Sequence, residues 1–127
     1  YEQYNCSIIA IEEVPREETH RYGVIAGEEE SAGIFRVSDM VEKPSVDVAP
    51  SNLAIIGRYI LTPDIFSILK NTPPGKNNEL QITDALRTQA KEGNVIGYKF
   101  KGRRFDCGSI EGFMEATDFV YSKIKMK

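Results

Sequence analysis

An acid and a base stand side by side in Val41-Glu42-Lys43-Pro44. A carboxylate can accept hydrogen bonds from two sugar hydroxyls, and an ammonium is a point charge suited to phosphate. In a regular strand these neighbours point to opposite faces, so they reach one ligand only if the chain turns at Pro44. On the residues alone, an exposed ion pair of little energetic worth is the plainer alternative. Tyr22-Gly23-Val24 places a glycine in a strand-like run, where a backbone can approach a ligand closely or a bulge can form. In Arg103-Arg104-Phe105-Asp106-Cys107-Gly108-Ser109 one carboxylate lies between an extended piece and a helix start. Asp106 there can hold a divalent metal bridging phosphates, or accept from the helix amides. His20 sits among charged loop residues and reads as solvated.

The elements that must position these groups read as strands interleaved with helices. Residues 5–12 form a β-branched run, expected as a strand buried on both faces. Residues 22–27 and 34–41 read as two strands of a hairpin, with 28–33 as its turn framed by Gly27 and Gly33. The prolines of 44–50 make a connector. Residues 52–61 read as a central strand broken by Gly57. Thr62 then suits an N-cap and Pro63 the first helical position, and Pro73-Pro74-Gly75 stops that helix. A second helix over 82–92 carries Ile82, Ala85, Leu86 and Ala90 on one face, with Gly93 past its end. Residues 95–100 form another strand. Ser109 can cap a last helix whose Ile110, Phe113, Met114, Val120, Tyr121 and Ile124 make a stripe expected to be core or a partner's face.

The 127 residues are 41% hydrophobic and 28% charged, which excludes collagen-like and wholly disordered chains and fits one domain. No apolar run approaches the ~20 residues of a spanning helix, so no membrane partner is expected. Net charge is −3, divided as −7 over residues 1–42 and +4 over the rest. An acidic first third argues against a nucleic-acid backbone as partner. Cys6 and Cys107 form no CxxC pair and read as two reduced thiols of a cytoplasmic protein. The chain opens on Tyr1 without a leader pattern and reads as cut from something larger.

Five blocks in this order resemble one family: Arg21-Tyr22-Gly23-Val24, Val41-Glu42-Lys43-Pro44, Ala49 to Tyr59, Glu79 to Ala85, and Phe105-Asp106-Cys107-Gly108. They are similar to the bacterial UTP–glucose-1-phosphate uridylyltransferases, also called UDP-glucose pyrophosphorylases, over essentially the whole chain. The resemblance implies an α/β fold, the mixed-sheet part of a Rossmann-like sugar nucleotidyltransferase. It implies that Gly23 offers its backbone to glucose, Glu42 accepts from glucose hydroxyls, and Lys43 is the catalytic group neutralising the sugar phosphate. Asp106 would be the metal-associated carboxylate for Mg2+, and Asn52 and Gly57 would line the sugar pocket. UTP, glucose 1-phosphate and UDP-glucose are the implied partners.

Family members begin with a nucleotide-binding half carrying a Gly-x-Gly-Thr-Arg loop and a magnesium-binding aspartate, and this sequence has neither. Residues 1–127 are therefore expected to form the C-terminal, sugar-phosphate-binding portion, with negligible turnover alone. A halved sheet exposes strand edges, which favours a homo-oligomer. The alternatives are a non-catalytic sugar-phosphate-binding or oligomerisation module, and a related enzyme transferring thymidylyl or guanylyl groups.

Overall fold

The computed structural model describes residues 1–126. Five strands and three α-helices follow one another as β1 (Ser7–Glu13), β2 (Gly23–Ser31), β3 (Ile34–Glu42), β4 (Leu53–Ile60), α1 (Ile65–Asn71), α2 (Ile82–Lys91), β5 (Val95–Lys99) and α3 (Ile110–Lys125). A 3-10 turn, Arg16–Arg21, joins β1 to β2. The sheet is mixed, as expected: β1 runs parallel to β5 and antiparallel to β4. It also closes on itself in the order β1-β4-β2-β3-β5, a small barrel sealed between β2 and β4 by the Val24–Ala54 pairing. Ile9, Ile11, Ile25, Val37, Met40 and Ile55 of the strands form one buried core cluster with Leu86 and Ala90 of α2.

β1 corrects the first expectation. Ser7, Ile9 and Ile11 are buried, while Ile8 and Ala10 on the other face are only half-buried. They border a shallow recess of about 210 Å³ with Arg58, Ile60 and Tyr98. Its apolar sequence is therefore two-sided in composition but one-sided in burial among the described residues.

The 28–33 turn is also corrected. β2 continues to Ser31, because Glu28 and Glu29 pair with Arg36 and Phe35 across the hairpin. Arg36 donates to both carboxylate oxygens of Glu30, at 2.9 and 3.2 Å, which offsets repulsion in the acidic run. Gly33, at φ +76°, makes the tight turn, while Gly27 sits at a register shift inside the strand.

Thr62 does not cap α1. Its hydroxyl accepts from Gln89 at 2.9 Å, and Gln89 also donates to Asp64 at 2.8 Å while accepting from Ser7 at 2.8 Å. Gln89 is fully buried, so satisfying its amide takes precedence over a cap. α1 begins at Ile65 instead. Two expected helix ends hold. Gly93, at φ +76°, donates to the Ala90 carbonyl at 2.9 Å, and Ser109 accepts from the Gly112 N–H at 3.0 Å. The α3 stripe is not core: no residue of α3 is buried within this chain.

Candidate functional site

The hairpin register puts Gly23, the first residue of β2, opposite Glu42, the last of β3. A Cβ on Gly23 would lie 3.1 Å from Glu42 Oε2, 3.2 Å from Ile55 Cδ1 and 3.3 Å from Thr83 Cγ2. Gly23 is thus a bare backbone between a carboxylate and two apolar groups, and any side chain there would press on all three.

Lys43 then turns the chain. Its backbone N–H donates to the Tyr22 carbonyl at 2.9 Å, and its φ of +46° is left-handed. A non-glycine residue pays about 1–2 kcal/mol for that conformation, and residues so held cluster where function fixes them. The turn foreseen at Pro44 falls one residue earlier. It breaks strand alternation at Lys43, so the ammonium need not emerge on the face opposite Glu42. Glu42 is half-buried and Lys43 exposed.

Asp106 approaches the same strand end through Tyr22. Arg104 donates to Glu12 Oε1 at 2.7 Å and to the Tyr22 hydroxyl at 3.1 Å, with its guanidinium 5.5 Å from the Tyr22 ring centre. Burial lowers the Arg104 pKa, but the hydrogen bond and charge of Glu12 outweigh it and the net shift is upward. The cation is therefore permanent. Two residues on, Asp106 accepts from the Gly108 N–H at 3.1 Å, and its Oδ2 lies 3.8 Å from the Arg21 guanidinium. Gly23, Glu42 and Lys43 thus meet at one strand end beside Tyr22, and Asp106 is linked to it through Arg21, whose guanidinium lies 5.7 Å from the Tyr22 ring centre.

Asn52 and Gly57 are placed differently. Asn52 donates to the Val14 carbonyl at 3.2 Å, fastening the end of β1 to the start of β4. Gly57, at φ +79°, lies where the β1–β4 register shifts and has open space where a side chain would stand. No side-chain hydrogen bond among the described residues joins Asn52 to Gly23 or Glu42.

Three neighbours escaped the reading of single residues. Thr83 is buried, and its hydroxyl has no hydrogen-bond partner among the described residues. Tyr59 has its phenol pKa raised by burial first and by the Glu42 charge second, which places it within electrostatic reach of that carboxylate. Arg104 makes the Tyr22 link. Thr83 and Tyr59 fall inside blocks that carried the family resemblance, and Arg104 is two residues from Asp106; no local pattern marks them further.

Asp106 belongs to no group of three or more His, Cys, Asp or Glu able to hold a metal among the described residues. A lone half-exposed carboxylate is nonetheless a fitting donor for Mg2+, which keeps several waters and takes one or two carboxylates plus substrate phosphates. A cleft of about 630 Å³ between α1 and α2, bordered by Asn71, Pro73, Asp84 and Arg87, contains none of the candidate residues.

A family model described as nucleotidyl transferase matches residues 2–123. A UTP–glucose-1-phosphate uridylyltransferase of Pseudomonas aeruginosa is 64% identical over 124 residues, covering 98% of this chain and 44% of that protein. A crystal structure of UDP-glucose pyrophosphorylase complexed with UDP-glucose superposes with a TM-score of 0.91 at 63% identity, over 97% of this chain and 47% of that one. A UTP-bound relative from Acinetobacter baumannii gives a TM-score of 0.77 at 30% identity, over the whole of this chain and 48% of the other. The chain spans under half the length of the relatives it matches.

Proposed function

The chain belongs to the nucleotidyl transferase family, and from that premise we propose that it forms the sugar-phosphate side of a UTP–glucose-1-phosphate uridylyltransferase. The observation that carries this reading is that Glu42, directly across the ladder from Gly23, holds its Oε2 3.1 Å from where a Gly23 Cβ would stand, with Lys43 turned at the same strand end. A hexose hydroxyl edge suits the carboxylate and the backbone, and its phosphate suits the ammonium. The 64% identity to a uridylyltransferase of Pseudomonas aeruginosa supports glucose 1-phosphate over other esters.

In the complete enzyme, a phosphate oxygen of glucose 1-phosphate attacks the α-phosphorus of UTP. A new P–O bond forms there, the bond to the bridging oxygen of the β-phosphate breaks, and pyrophosphate leaves with the electron pair. No protein group becomes covalently attached, so catalysis is positioning plus electrostatics. Glu42 fixes the sugar's orientation, Gly23 lets it approach, and Lys43 lowers repulsion between the attacking and receiving phosphates. Asp106 is the residue that would hold Mg2+, which when bound would supply charge neutralisation to the phosphates. Residues 1–127 act as the C-terminal portion, and UTP recognition belongs to parts of the relatives that this chain does not span.

Cytoplasmic placement accompanies this reading, supported by two free thiols. No helix among the described residues is long and apolar enough to cross a membrane. Homo-oligomerisation is part of it as well, supported by the exposed apolar stripe of α3.

Calorimetric titration with glucose 1-phosphate tests the site: binding is expected in the native chain and a clear loss in Glu42→Gln. Equal affinity in both would remove the sugar-phosphate reading. A coupled pyrophosphate-release assay on the chain alone is expected to show negligible turnover, and family-level activity would overturn the assignment to one side of the site.

A further inference from the structure

Arg21 stands immediately before Tyr22 and Gly23. Its guanidinium lies 3.3 Å from Glu18 Oε2 and 3.8 Å from Asp106 Oδ2, and 5.7 Å from the Tyr22 ring centre. Asp106 Oδ1 accepts from the Gly108 N–H, and Oδ2, which faces Arg21 at a long 3.8 Å, is the freer oxygen for a cation. Lys43 is tied to the other side of Tyr22 through its backbone N–H. Two basic residues thus flank Tyr22 at the strand end where Gly23 and Glu42 meet.

The Arg21–Asp106 contact is easily exchanged. Both side chains are 48% exposed, and screening by water leaves pairs of that kind little net worth. A guanidinium fork matches phosphate oxygens in geometry as well as charge, while Oδ2 suits a hard divalent ion better than a long contact to arginine. An arriving phosphate and its counter-cation therefore compete for the two halves of this pair separately.

We propose that Arg21 is a phosphate-binding residue that holds Asp106 until a divalent cation takes the carboxylate, whereupon its guanidinium engages the phosphate of the sugar ester. The exchange conserves local charge balance, since each anion gains a new cation as it loses the old one. It also couples the two ligands: the cation frees Arg21 for phosphate, and phosphate draws Arg21 off Asp106. The inference rests on the reading of Gly23, Glu42 and Lys43 as a sugar-phosphate site.

The experiment measures Mn2+ binding by electron paramagnetic resonance and glucose 1-phosphate binding by calorimetry, each with and without the other ligand. Native chain, Arg21→Gln, Arg21→Lys and Glu42→Gln are compared. In Arg21→Gln, Mn2+ alone is expected to bind several-fold more tightly, and glucose 1-phosphate about tenfold more weakly, as loss of one charge-assisted contact implies. The mutual enhancement of the two ligands should vanish. Arg21→Lys should recover part of the phosphate affinity, which a purely structural role would not predict. Unchanged or weaker Mn2+ binding in Arg21→Gln overturns the exchange. Native-like glucose 1-phosphate affinity in Arg21→Gln, alongside a loss in Glu42→Gln, overturns it while leaving the sugar-phosphate site standing. Native-like affinity in both variants removes the site itself.

Discussion

Oε2 of Glu42 stands 3.1 Å from the point that a Cβ on Gly23 would occupy. The two residues are 19 positions apart in sequence and directly opposite in the β2–β3 ladder. A methyl group at Gly23 would also meet Ile55 and Thr83, so the space can be relieved only by moving the carboxylate or the core. Gly23→Ala is expected to destabilise the fold by about 1–3 kcal/mol, the usual range for overpacking, and to weaken glucose 1-phosphate at the same time. Thermal unfolding and calorimetry read the two effects separately; unchanged binding would mean that Glu42 and Gly23 do not share a ligand.

Glu42 and Lys43 should divide recognition between sugar and phosphate. Glu42→Gln keeps shape but loses a charged acceptor, a change of about 1.5–3 kcal/mol or roughly 10- to 150-fold in affinity for glucose 1-phosphate. Lys43→Met should weaken glucose 1-phosphate and inorganic phosphate alike, whereas Glu42→Gln should spare inorganic phosphate. Competition titrations with both ligands check the division, and a parallel loss in both variants would contradict it.

Arg104 holds three distant pieces of chain together through Glu12 and the Tyr22 hydroxyl. Arg104→Met keeps much of the side-chain volume but leaves Glu12, only 25% exposed, without its partner. The expected cost is about 1–3 kcal/mol in urea-unfolding stability. A change within error would show that the contact is dispensable for the fold.

β3 and α2 are joined by a two-point ion pair in which Arg87 donates to both oxygens of Asp39. The hydrogen bond from Arg87 holds the Asp39 carboxyl below its ordinary value of 3.8, against an opposing effect of burial. A depressed folded-state pKa contributes stability that is fully present above the unfolded value and lost as pH falls through the folded one. The native chain should therefore exceed Asp39→Asn by up to about 1 kcal/mol at pH 7, given the partial exposure of the pair. That margin should shrink below about pH 4, where the unfolded carboxyl begins to bind protons. Melting curves at pH 7, 5 and 3 provide the check, and a pH-independent margin would contradict the ion-pair origin.

Ile110, Phe113, Val120 and Ile124 are exposed on α3 within this chain. Replacing Ile110 and Ile124 with Lys should alter its stability by no more than about 0.5 kcal/mol per site. If the stripe joins copies of the chain, sedimentation velocity will show the double variant shifting to a smaller species. An unaltered assembly would place the interface elsewhere.

The strands and helices were legible because their signals are local. Ser109 caps α3 and Gly93 ends α2, since a hydroxyl and a left-handed glycine act within a few residues. The misread places are those where distant partners decide. Thr62 resembles a cap until Gln89, 27 residues away, takes its hydroxyl. The acidic run at Glu28–Glu30 resembles a turn until Arg36 neutralises it across the hairpin. Glu42, Lys43, Gly23 and Asp106 stand out by residue type and take their expected roles from the order of their blocks, whereas the contacts by which Arg104 reaches Tyr22 and Glu12 have no local sign.

By itself the sequence determined the α/β alternation, the family and the types of chemical group available to a site, because residue type, periodicity and block order are properties of a linear chain. Only the tertiary structure decided that Glu42 stands over Gly23, that the strand order closes into a barrel, and that Arg21 faces Asp106. Those relations depend on strand register and on hydrogen bonds between residues 19 to 92 positions apart, and loop-closing contacts of that reach leave no periodic trace in the chain that makes them.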